Sequence, residues 1–230
     1  MREITIATYN IRHGHDVDCD WDRIAQVITR AGADIVGFQE IDMHTSRVGG
    51  RDTVSGLVEA TGLSYALFVP AMHFDGGQYG TAILSRYPIV AGEGLPLPSG
   101  LYEPRALGYV KITPDGGDPL YFLNTHLSYE SRRQQDIQLS RIADWMEKNI
   151  PEGNGAVLTG DFNTEDLSAF TPIRDLGYGL VNDRSFKTFR DTGTAIDHIL
   201  YRRSHMTLLA SGMIDVGYSD HNLLWGRFQY

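Results

Sequence analysis

The sequence contains very little cysteine, since Cys19 is the only one among 230 residues. A single thiol excludes an internal disulfide framework and a zinc site built from several cysteines. No apolar run approaches the ~18 residues that indicate a membrane-spanning helix. The opening stretch MREITIATYN also lacks the apolar segment of a signal peptide. We therefore expect a cytoplasmic protein with no transmembrane segment.

The chain also lacks an excess of positive charge, with 20 Lys and Arg against 29 Asp and Glu and a formal net charge of −9. Proteins dedicated to duplex binding usually carry a basic surface. The overall charge therefore disfavours such a role, although it leaves room for a local basic patch. The apolar fraction of 42% is typical of a globular protein. We expect one domain, residues 1–230, with a substantial core.

The apolar pattern predicts many strands and few helices. A helix is expected over residues 21–31, with Asp20 as its cap and Gly32 as its stop. Further helices are expected over about 53–61, over about 131–149, and near 167–176 with an interruption at Pro172. Strands are expected at 4–9, 33–40, 65–69, 80–84, 89–92, 106–112, 120–124, 156–159, 196–201, 206–210 and 223–228. One sheet of this many strands would be very wide, so we predict an α/β fold with two packed mixed sheets flanked by helices.

Polar side chains stand next to the predicted strands at six places in the chain. They are carboxylates, amides and imidazoles, the groups from which a catalytic site is built. The set is Asn10, Glu40, His126, Asp161 with Asn163, Asp197, and Asp220 with His221.

These residue types favour metal-assisted phosphoester chemistry. Glu40, Asp220 and Asn10 offer hard oxygen atoms that suit Mg²⁺ or Mn²⁺. Such an ion would polarise a phosphoryl oxygen and stabilise the leaving group. His221 would contact the phosphate or act as a general base, with Asp197 fixing its tautomer.

The remaining polar groups have roles in the same chemistry. Asp161 and Asn163 would orient an attacking water molecule, and His126 would donate to a phosphoryl oxygen as charge builds on it. Asn163 has an alternative role as the cap of the turn after GDF.

The motifs also resemble those of the endonuclease/exonuclease/phosphatase superfamily, and they occur in the order found in that family. This superfamily includes pancreatic deoxyribonuclease, abasic-site endonucleases, sphingomyelinases, inositol-polyphosphate phosphatases and deadenylases. The resemblance implies a four-layer sandwich with two central sheets and an active site at one end. The matching stretches are TYN 8–10, QE 39–40, YGTAILSR 79–86, NTHLS 124–128, GDFN 160–163, IDHI 196–199 and SDH 219–221.

The resemblance also implies a role for each matching residue. Glu40 matches the metal-binding glutamate, and Asn10 and Asp220 match other positions around the metal. Asp161 and Asn163 match the residues that orient water and phosphate. His126 matches a histidine found in the deoxyribonuclease and sphingomyelinase branches. Asp197 and His221 match the family's Asp–His pair. Arg105, in YEPRAL, is interpreted as a phosphate contact. Asn10-Ile11-Arg12 differs from the Asn-x-Asp of the abasic-site branch, which argues against abasic-site repair.

Several other features have a structural explanation beside the functional one. His198 faces away from Asp197 if both lie on a strand, so we interpret it as structural. Asp16, Asp18 and Asp20 begin like a calcium loop, but Trp21 and Val27 occupy its Gly and Glu positions, so the motif fails. The alternatives stay open for His13 and His15, which either line the site or are solvated, and for the pairs Arg132–Arg133 and Arg202–Arg203, which either bind anions or are ordinary surface charges.

The sequence therefore predicts a divalent-metal-dependent hydrolase of a phosphodiester or phosphomonoester, with a small molecule or a lipid head group favoured as substrate. The alternative is an endonuclease or exonuclease acting on DNA or RNA. A third function, a binding module without catalysis, is disfavoured because the set of polar residues is complete.

Overall fold

The structure, a computed structural model, describes residues 2–230 with the exception of the Asp115 side chain. The strands are β1 (Glu3–Asn10), β2 (Ile35–Met43), β3 (Tyr65–Phe74), β4 (Gly77–Ser85), β5 (Ile89–Leu97), β6 (Arg105–Ile112), β7 (Leu120–His126), β8 (Gly155–Asp161), β9 (Tyr178–Leu180), β10 (Asp197–Arg202), β11 (Thr207–Ile214) and β12 (Leu223–Gln229). The α-helices are α1 (Trp21–Ala31), α2 (Thr53–Thr61), α3 (Arg132–Asn149) and α4 (Thr171–Arg174). Short 3₁₀ segments cover Arg12–Val17, Ser46–Val48, Pro114–Gly116 and Leu167–Phe170.

The strands form two mixed sheets of six strands each. The first sheet has the order β11-β12-β1-β2-β4-β3, and the second has the order β5-β6-β7-β8-β10-β9. Only the pairs β1–β2 and β7–β8 are parallel among the strand pairs of residues 2–230. Each parallel pair is joined through a helix, α1 in the first case and α3 in the second.

Alternation along the strands assigns side chains to different layers of the core. In β1, Ile4 and Ile6 pack between the two sheets, whereas Ala7 and Tyr9 face the helices on the outer side. This is the period of two that a strand requires when both of its faces are buried. The first sheet therefore contacts a helix layer on one face and the second sheet on the other.

The helices cover the two outer faces. Ile24 and Ile28 of α1 join the core outside the first sheet, and Leu139 and Ile142 of α3 join the core outside the second. The order of layers is helix, sheet, sheet, helix, which confirms the predicted four-layer sandwich.

The helix boundaries follow local signals in the sequence. Helix α1 ends at Gly32, which adopts a left-handed φ of 63°. Helix α2 begins after Asp52, whose side chain accepts a 2.9 Å hydrogen bond from the backbone of Ser55. Among the helices of residues 2–230, none is long and apolar enough to cross a membrane.

Two local predictions need correction. Pro172 does not interrupt a helix, because it lies in the first turn of α4, where a missing N–H leaves no hydrogen bond unmade. Strand β9 was not predicted, because its three residues are too few to show a period.

The two parallel strand pairs fix where polar side chains meet. The carboxyl ends of parallel neighbours lie at the same edge of a sheet, and ligands bind there in α/β folds. The parallel pairing of β1 with β2 ends at Asn10 and Gln39, next to Glu40, while β7 and β8 end at His126 and Asp161. The antiparallel strand β10 begins at this same edge, because Asp197 pairs with Asp161.

A β-bulge changes the direction of the side chains near the end of β2. Phe38 pairs with Ala82 and Ile41 pairs with Gly80, so two residues of β2 oppose one residue of β4. Glu40 lies in this bulge with a φ of 57°, a left-handed conformation that is unusual for a residue with a side chain. Bulges of this kind redirect side chains next to active sites.

Candidate active site

The edge where these strands end forms a cavity of about 470 Å³. Seven of the nine residues predicted for the site line it, namely Glu40, Arg105, His126, Asp161, Asn163, Asp220 and His221. The other two, Asn10 and Asp197, lie directly behind this lining, where they bond to Glu40 and His221. The structure thus brings together residues that are spread over most of the chain.

His221 and Asp197 form a buried pair. Asp197 Oδ2 lies 2.8 Å from His221 Nδ1, and this contact directs Nε2 of the ring towards the cavity. Nε2 lies 3.5 Å from Asp161 Oδ2. The imidazole is therefore fixed in orientation between two carboxylates.

His198, the next residue after Asp197, faces the opposite side of β10. Its Nε2 lies 3.1 Å from the carbonyl oxygen of Thr164, and its ring packs against Phe162 and Phe170. His198 is buried against these aromatic rings and is not among the residues that line the cavity, which fits a structural role.

Asn10 connects Glu40 with Asp161. Its Nδ2 lies 3.0 Å from Glu40 Oε1 and 3.1 Å from Asp161 Oδ2. Its Oδ1 accepts a 3.0 Å hydrogen bond from the backbone N–H of Arg12, which fixes the direction of the amide. The prediction that Asn10 belongs to the surroundings of a metal stays a prediction, and in this structure its NH₂ group contacts the two carboxylates.

Asn163 both shapes a turn and lines the cavity. Its backbone N–H donates to Asp161 Oδ1 at 2.9 Å, and its Nδ2 donates to the carbonyl oxygen of Leu127 at 2.9 Å. These bonds hold Asn163 at a φ of 51°. The capping role and the site role are therefore compatible.

Arg105 is a buried cation in the cavity wall. Its Nη1 lies 3.0 Å from Glu103 Oε1, and its side chain is 2% exposed. Burial and the charge of Arg105 hold the pKa of His126 well below its usual value. His126 is therefore a neutral imidazole whose Nε2 lies 3.5 Å from Asp161 Oδ2.

The pKa values of two carboxylates in the site are shifted in opposite directions. Burial alone would raise the pKa of Glu40, but the contacts with His13 and Asn10 outweigh it and lower the pKa to about 2. Burial raises the pKa of Asp161, and Asp197 raises it further, against the opposing effect of His221. Glu40 is thus a permanent anion, while Asp161 is a stronger base than an ordinary aspartate.

The pKa of His221 is raised. Burial opposes protonation of the ring, but the nearby carboxylates of Asp197 and Asp161 outweigh burial. His221 is therefore an imidazolium in this arrangement, able to donate its Nε2–H to an anion.

Two groups of donors in the site have the chemistry of metal ligands. Asp161, Asp197 and His221 place one potential ligand atom each within 4.8 Å of one another, so this cluster could hold a metal ion. In that cluster, however, His221 and Asp197 already bond to each other. Glu40 and Asp220 form the second group: burial raises the pKa of Asp220, and the charge of Glu40 raises it further. Two neighbouring carboxylates that face a cavity fit a hard divalent cation.

Other residues of the cavity were not predicted from the sequence. They are Arg47, Met72, Phe74, Tyr79, Glu103, Tyr129, Phe189 and Ile196. Most come from loops or from side chains inside strands, so no strand-end signal marks them. Tyr79 was within a recognised motif, YGTAILSR, and the motif could have identified it.

Comparison with known proteins assigns the family. Residues 7–221 match the sequence model of the Endonuclease/Exonuclease/phosphatase family, and the chain belongs to this family. The match confirms the resemblance that the motifs indicated.

One relative is Uncharacterized protein YbhP of Escherichia coli strain K12, which is 27% identical over 159 residues, or 66% of this chain and 62% of YbhP. The matched region thus spans less than two thirds of that relative's length.

Two solved structures share the fold. The endonuclease/exonuclease/phosphatase from Beutenbergia cavernae superimposes with a TM-score of 0.83 and 21% identity, covering 100% of this chain and 72% of that one. The mannosyl-6-phosphatase from Bacteroides thetaiotaomicron superimposes with a TM-score of 0.78 and 19% identity, covering 99% of this chain and 100% of that one.

Proposed function

We propose that the protein is a divalent-metal-dependent phosphohydrolase that cleaves a small phosphoester with water. The observation that carries this proposal is the position of Asn10, whose amide holds Glu40 and Asp161 together beside the Asp197–His221 pair. An anionic carboxylate, a basic carboxylate and an imidazolium within one cavity are the parts that phosphoester hydrolysis needs.

Glu40 and Asp220 are the residues that would hold Mg²⁺ or Mn²⁺, with Asn10 orienting Glu40 from behind. Such an ion supplies positive charge to a phosphoryl oxygen and to the leaving oxygen. Glu40 suits this task because it stays ionised at any physiological pH. The bulge in β2 supports it by directing the Glu40 side chain into the cavity.

The other residues of the site handle the water and the proton. Asp161 accepts a proton from the attacking water, and its raised pKa makes it better suited to this than an ordinary aspartate. His221 donates from Nε2 to a phosphoryl oxygen, while Asp197 holds the ring in place through Nδ1. Water adds to phosphorus as its proton passes to Asp161, and the bond from phosphorus to the ester oxygen breaks. The ester oxygen takes up a proton from solvent, and the products are an alcohol and a phosphate.

His126 and Arg105 bind the substrate phosphate in this proposal. Both line the cavity, and Arg105 is fixed by its ion pair with Glu103. A buried, pre-oriented guanidinium recognises phosphate oxygens well, because its N–H groups match their geometry.

A small substrate is favoured over nucleic acid by the distribution of arginines. Arg202 donates to the carbonyl oxygens of Pro151 and Asn154, and it lies at the end of β10 that is distant from Asp197. At ~3.3 Å per residue, five steps along a strand separate the two by roughly 17 Å. Arg132 is paired with Asp136 and Asp166. Arg132 and Arg202 are therefore engaged within the protein and do not extend a basic surface from the cavity.

The fold itself is compatible with a sugar phosphate as substrate. The Bacteroides thetaiotaomicron structure with the same fold carries the name mannosyl-6-phosphatase. The substrate class of this chain is our proposal, since a likeness at 19% identity extends to the fold alone.

A panel of phosphoesters assayed with Mg²⁺, with Mn²⁺ and with EDTA tests the proposal. We expect metal-dependent turnover of small phosphoesters, a strong loss in Glu40→Gln, and a loss of at least ~100-fold in kcat for His221→Ala and Asp197→Asn. His205→Ala is the matched control, because His205 lies in the turn after β10 and outside the cavity lining.

Two outcomes would favour the other functions. Efficient nicking of plasmid DNA at physiological salt, with negligible turnover of small substrates, would identify a nuclease. Absence of hydrolysis across every phosphoester class, DNA and RNA included, would identify a binding module on this fold.

A further inference from the structure

A second cavity, of about 260 Å³, adjoins the candidate active site. We call it the side cavity. It is lined by His13, Gly14, His15, Asp18, Cys19, Arg47, Val48, Gly49 and Arg51. Arg47 lines both cavities, and His13 Nδ1 lies 3.7 Å from Glu40 Oε2. A ligand at Glu40 can therefore extend past Arg47 into the side cavity.

The side cavity is lined by one arginine that is bound to a buried carboxylate and by one that has no acidic partner among the described residues. Two guanidinium groups, Arg47 and Arg51, and two imidazoles face a single carboxylate, Asp18. Within residues 2–230, the Arg51 side chain is exposed and has no ion-pair partner. In a chain with a net charge of −9, an arginine without an acidic partner in a cavity wall marks a place that attracts an anion.

Arg47 is oriented in advance for ligand binding. Asp42, whose side chain is 0% exposed, binds Nε at 2.5 Å and Nη2 at 2.7 Å. The guanidinium also lies over the Phe74 ring, 4.6 Å from its centroid. In the part of the chain that the structure describes, no hydrogen bond uses Nη1, so its N–H groups remain for a ligand. A fixed guanidinium binds an anion with less loss of side-chain entropy than a mobile one.

The loop that forms the opposite wall is strained. Arg12, His13, Asp18 and Cys19 all have positive φ values, between 46° and 57°. Conformations of this kind are unfavourable for residues with a side chain, and they concentrate at ligand-binding sites. Gly14 is required in this loop, because its φ is 77° and a Cβ atom there would lie 2.7 Å from the Trp21 ring.

We propose that the side cavity binds a second anionic group of the substrate, so that the preferred substrate is a small phosphoester carrying a further phosphate. The reacting phosphate lies at Glu40 and His221, and the second phosphate lies between Arg47 and Arg51. This inference rests on the proposed function, whose substrate it defines more narrowly.

The test compares fructose 1,6-bisphosphate with fructose 6-phosphate at saturating Mg²⁺. The wild-type protein should have the higher kcat/KM for the bisphosphate. Arg51→Ala should reduce the ratio of the two kcat/KM values at least ~10-fold, the scale of one lost charge-assisted hydrogen bond, and Arg51→Glu should reduce it further. Arg174→Ala, which removes an exposed arginine outside both cavities, should leave the ratio unchanged.

Calorimetric titration separates this inference from the proposed function. The His221→Ala variant should bind fructose 1,6-bisphosphate at least ~10-fold more tightly than the double variant His221→Ala/Arg51→Ala does. Equal binding to both proteins, or an unchanged kcat/KM ratio in Arg51→Glu, would overturn the second phosphate subsite. Absence of turnover of both sugars would count against the proposed function, while the titration would still decide on the side cavity. Arg51-dependent binding of an oligonucleotide that exceeds binding of the bisphosphate would overturn the small-substrate assignment.

Discussion

Asn124, in the second sheet, donates a 2.9 Å hydrogen bond from Nδ2 to the carbonyl oxygen of Phe38, in the first sheet. The same Nδ2 donates to the carbonyl oxygen of Ala82 at 3.1 Å. Asn124 Oδ1 accepts from Gln39 Nε2 at 2.7 Å. One buried amide thus supplies hydrogen-bond partners to both β2 and β4, beside the bulge that positions Glu40.

Replacing Asn124 by Leu should destabilise the protein strongly. The change removes the side-chain donor of the Phe38 and Ala82 carbonyl oxygens, and each orphaned group costs about 1–3 kcal/mol. It also removes one of the acceptors of Gln39 Nε2, which keeps Thr8 and Gly37. We expect the free energy of unfolding, measured with urea, to fall by about 3 kcal/mol or more. Asn149→Leu, at an exposed asparagine, should change it far less. A loss below about 1 kcal/mol in Asn124→Leu would show that the inter-sheet bonds do not stabilise the fold.

The melting temperature of the Asn10→Asp variant should depend on Mg²⁺ more strongly than that of the wild type. The new carboxylate replaces an NH₂ group that lies 3.0 Å from Glu40 Oε1 and 3.1 Å from Asp161 Oδ2, so three acidic groups become neighbours. In EDTA, the melting temperature should fall well below that of the wild type, because like charges repel at this distance. Added Mg²⁺ should restore more of the melting temperature in the variant than it adds to the wild type. Equal Mg²⁺ effects on both proteins would contradict a metal at Glu40.

His198 should make stability depend on pH. Burial lowers the pKa of His198 in the folded protein below the value of 6.5 that applies to the unfolded chain. Below pH 6.5 the unfolded chain therefore takes up a proton that the folded protein does not, and stability falls as the pH falls, by up to about 1.4 kcal/mol per pH unit. His198→Gln retains a donor for Thr164 and cannot titrate, so its unfolding free energy should fall less steeply between pH 6.5 and 5. The two proteins should have similar unfolding free energies at pH 8. If both unfolding free energies fall equally steeply between pH 6.5 and 5, His198 is not the residue that causes the pH dependence.

Gly56→Ala should destabilise the protein although Gly56 lies inside helix α2. Alanine in a helix normally stabilises by about 1 kcal/mol relative to glycine. Here the added Cβ would lie 2.4 Å from Trp21 Cδ1, so the Trp21 ring must move. We expect a net loss of about 1–3 kcal/mol, the usual cost of overpacking, measured by chemical unfolding. Gly153→Ala has open space around it and serves as the control. A more stable Gly56→Ala protein would show that Trp21 adapts.

Sequence reasoning predicted the elements whose signal is local. Helix α1 runs over the predicted residues 21–31, because its apolar spacing, the acidic residue before it and Gly32 agree with one another. The layers could be predicted as well, because residues such as Ile6 and Ala7 belong to a strand with two buried faces.

The details of the site were less accessible, because they depend on contacts between distant parts of the chain. The bulge at Glu40 arises from pairing with β4, and the letters FQEI contain no sign of it. The amide of Asn10 is turned by a hydrogen bond from Arg12, and residue type alone suggested the oxygen as the functional atom. A role for Arg47 in ligand binding could not be predicted from the sequence, because it depends on the three-dimensional contact with Asp42 and on the position of Arg47 between the two cavities.

The Asn10–Asp161 and Asp197–His221 contacts both join one sheet to the other. Asn10 is separated from Asp161 by 151 positions in the chain and from His221 by 211. Contacts of such long sequence separation form late during folding, because closing a large loop costs entropy before any contact compensates for it. A folding intermediate with helices and local strand pairs formed but the two sheets not yet docked would hold every catalytic side chain and still be inert. Recovery of activity during refolding should therefore lag behind recovery of secondary structure, and it should report the docking of the sheets.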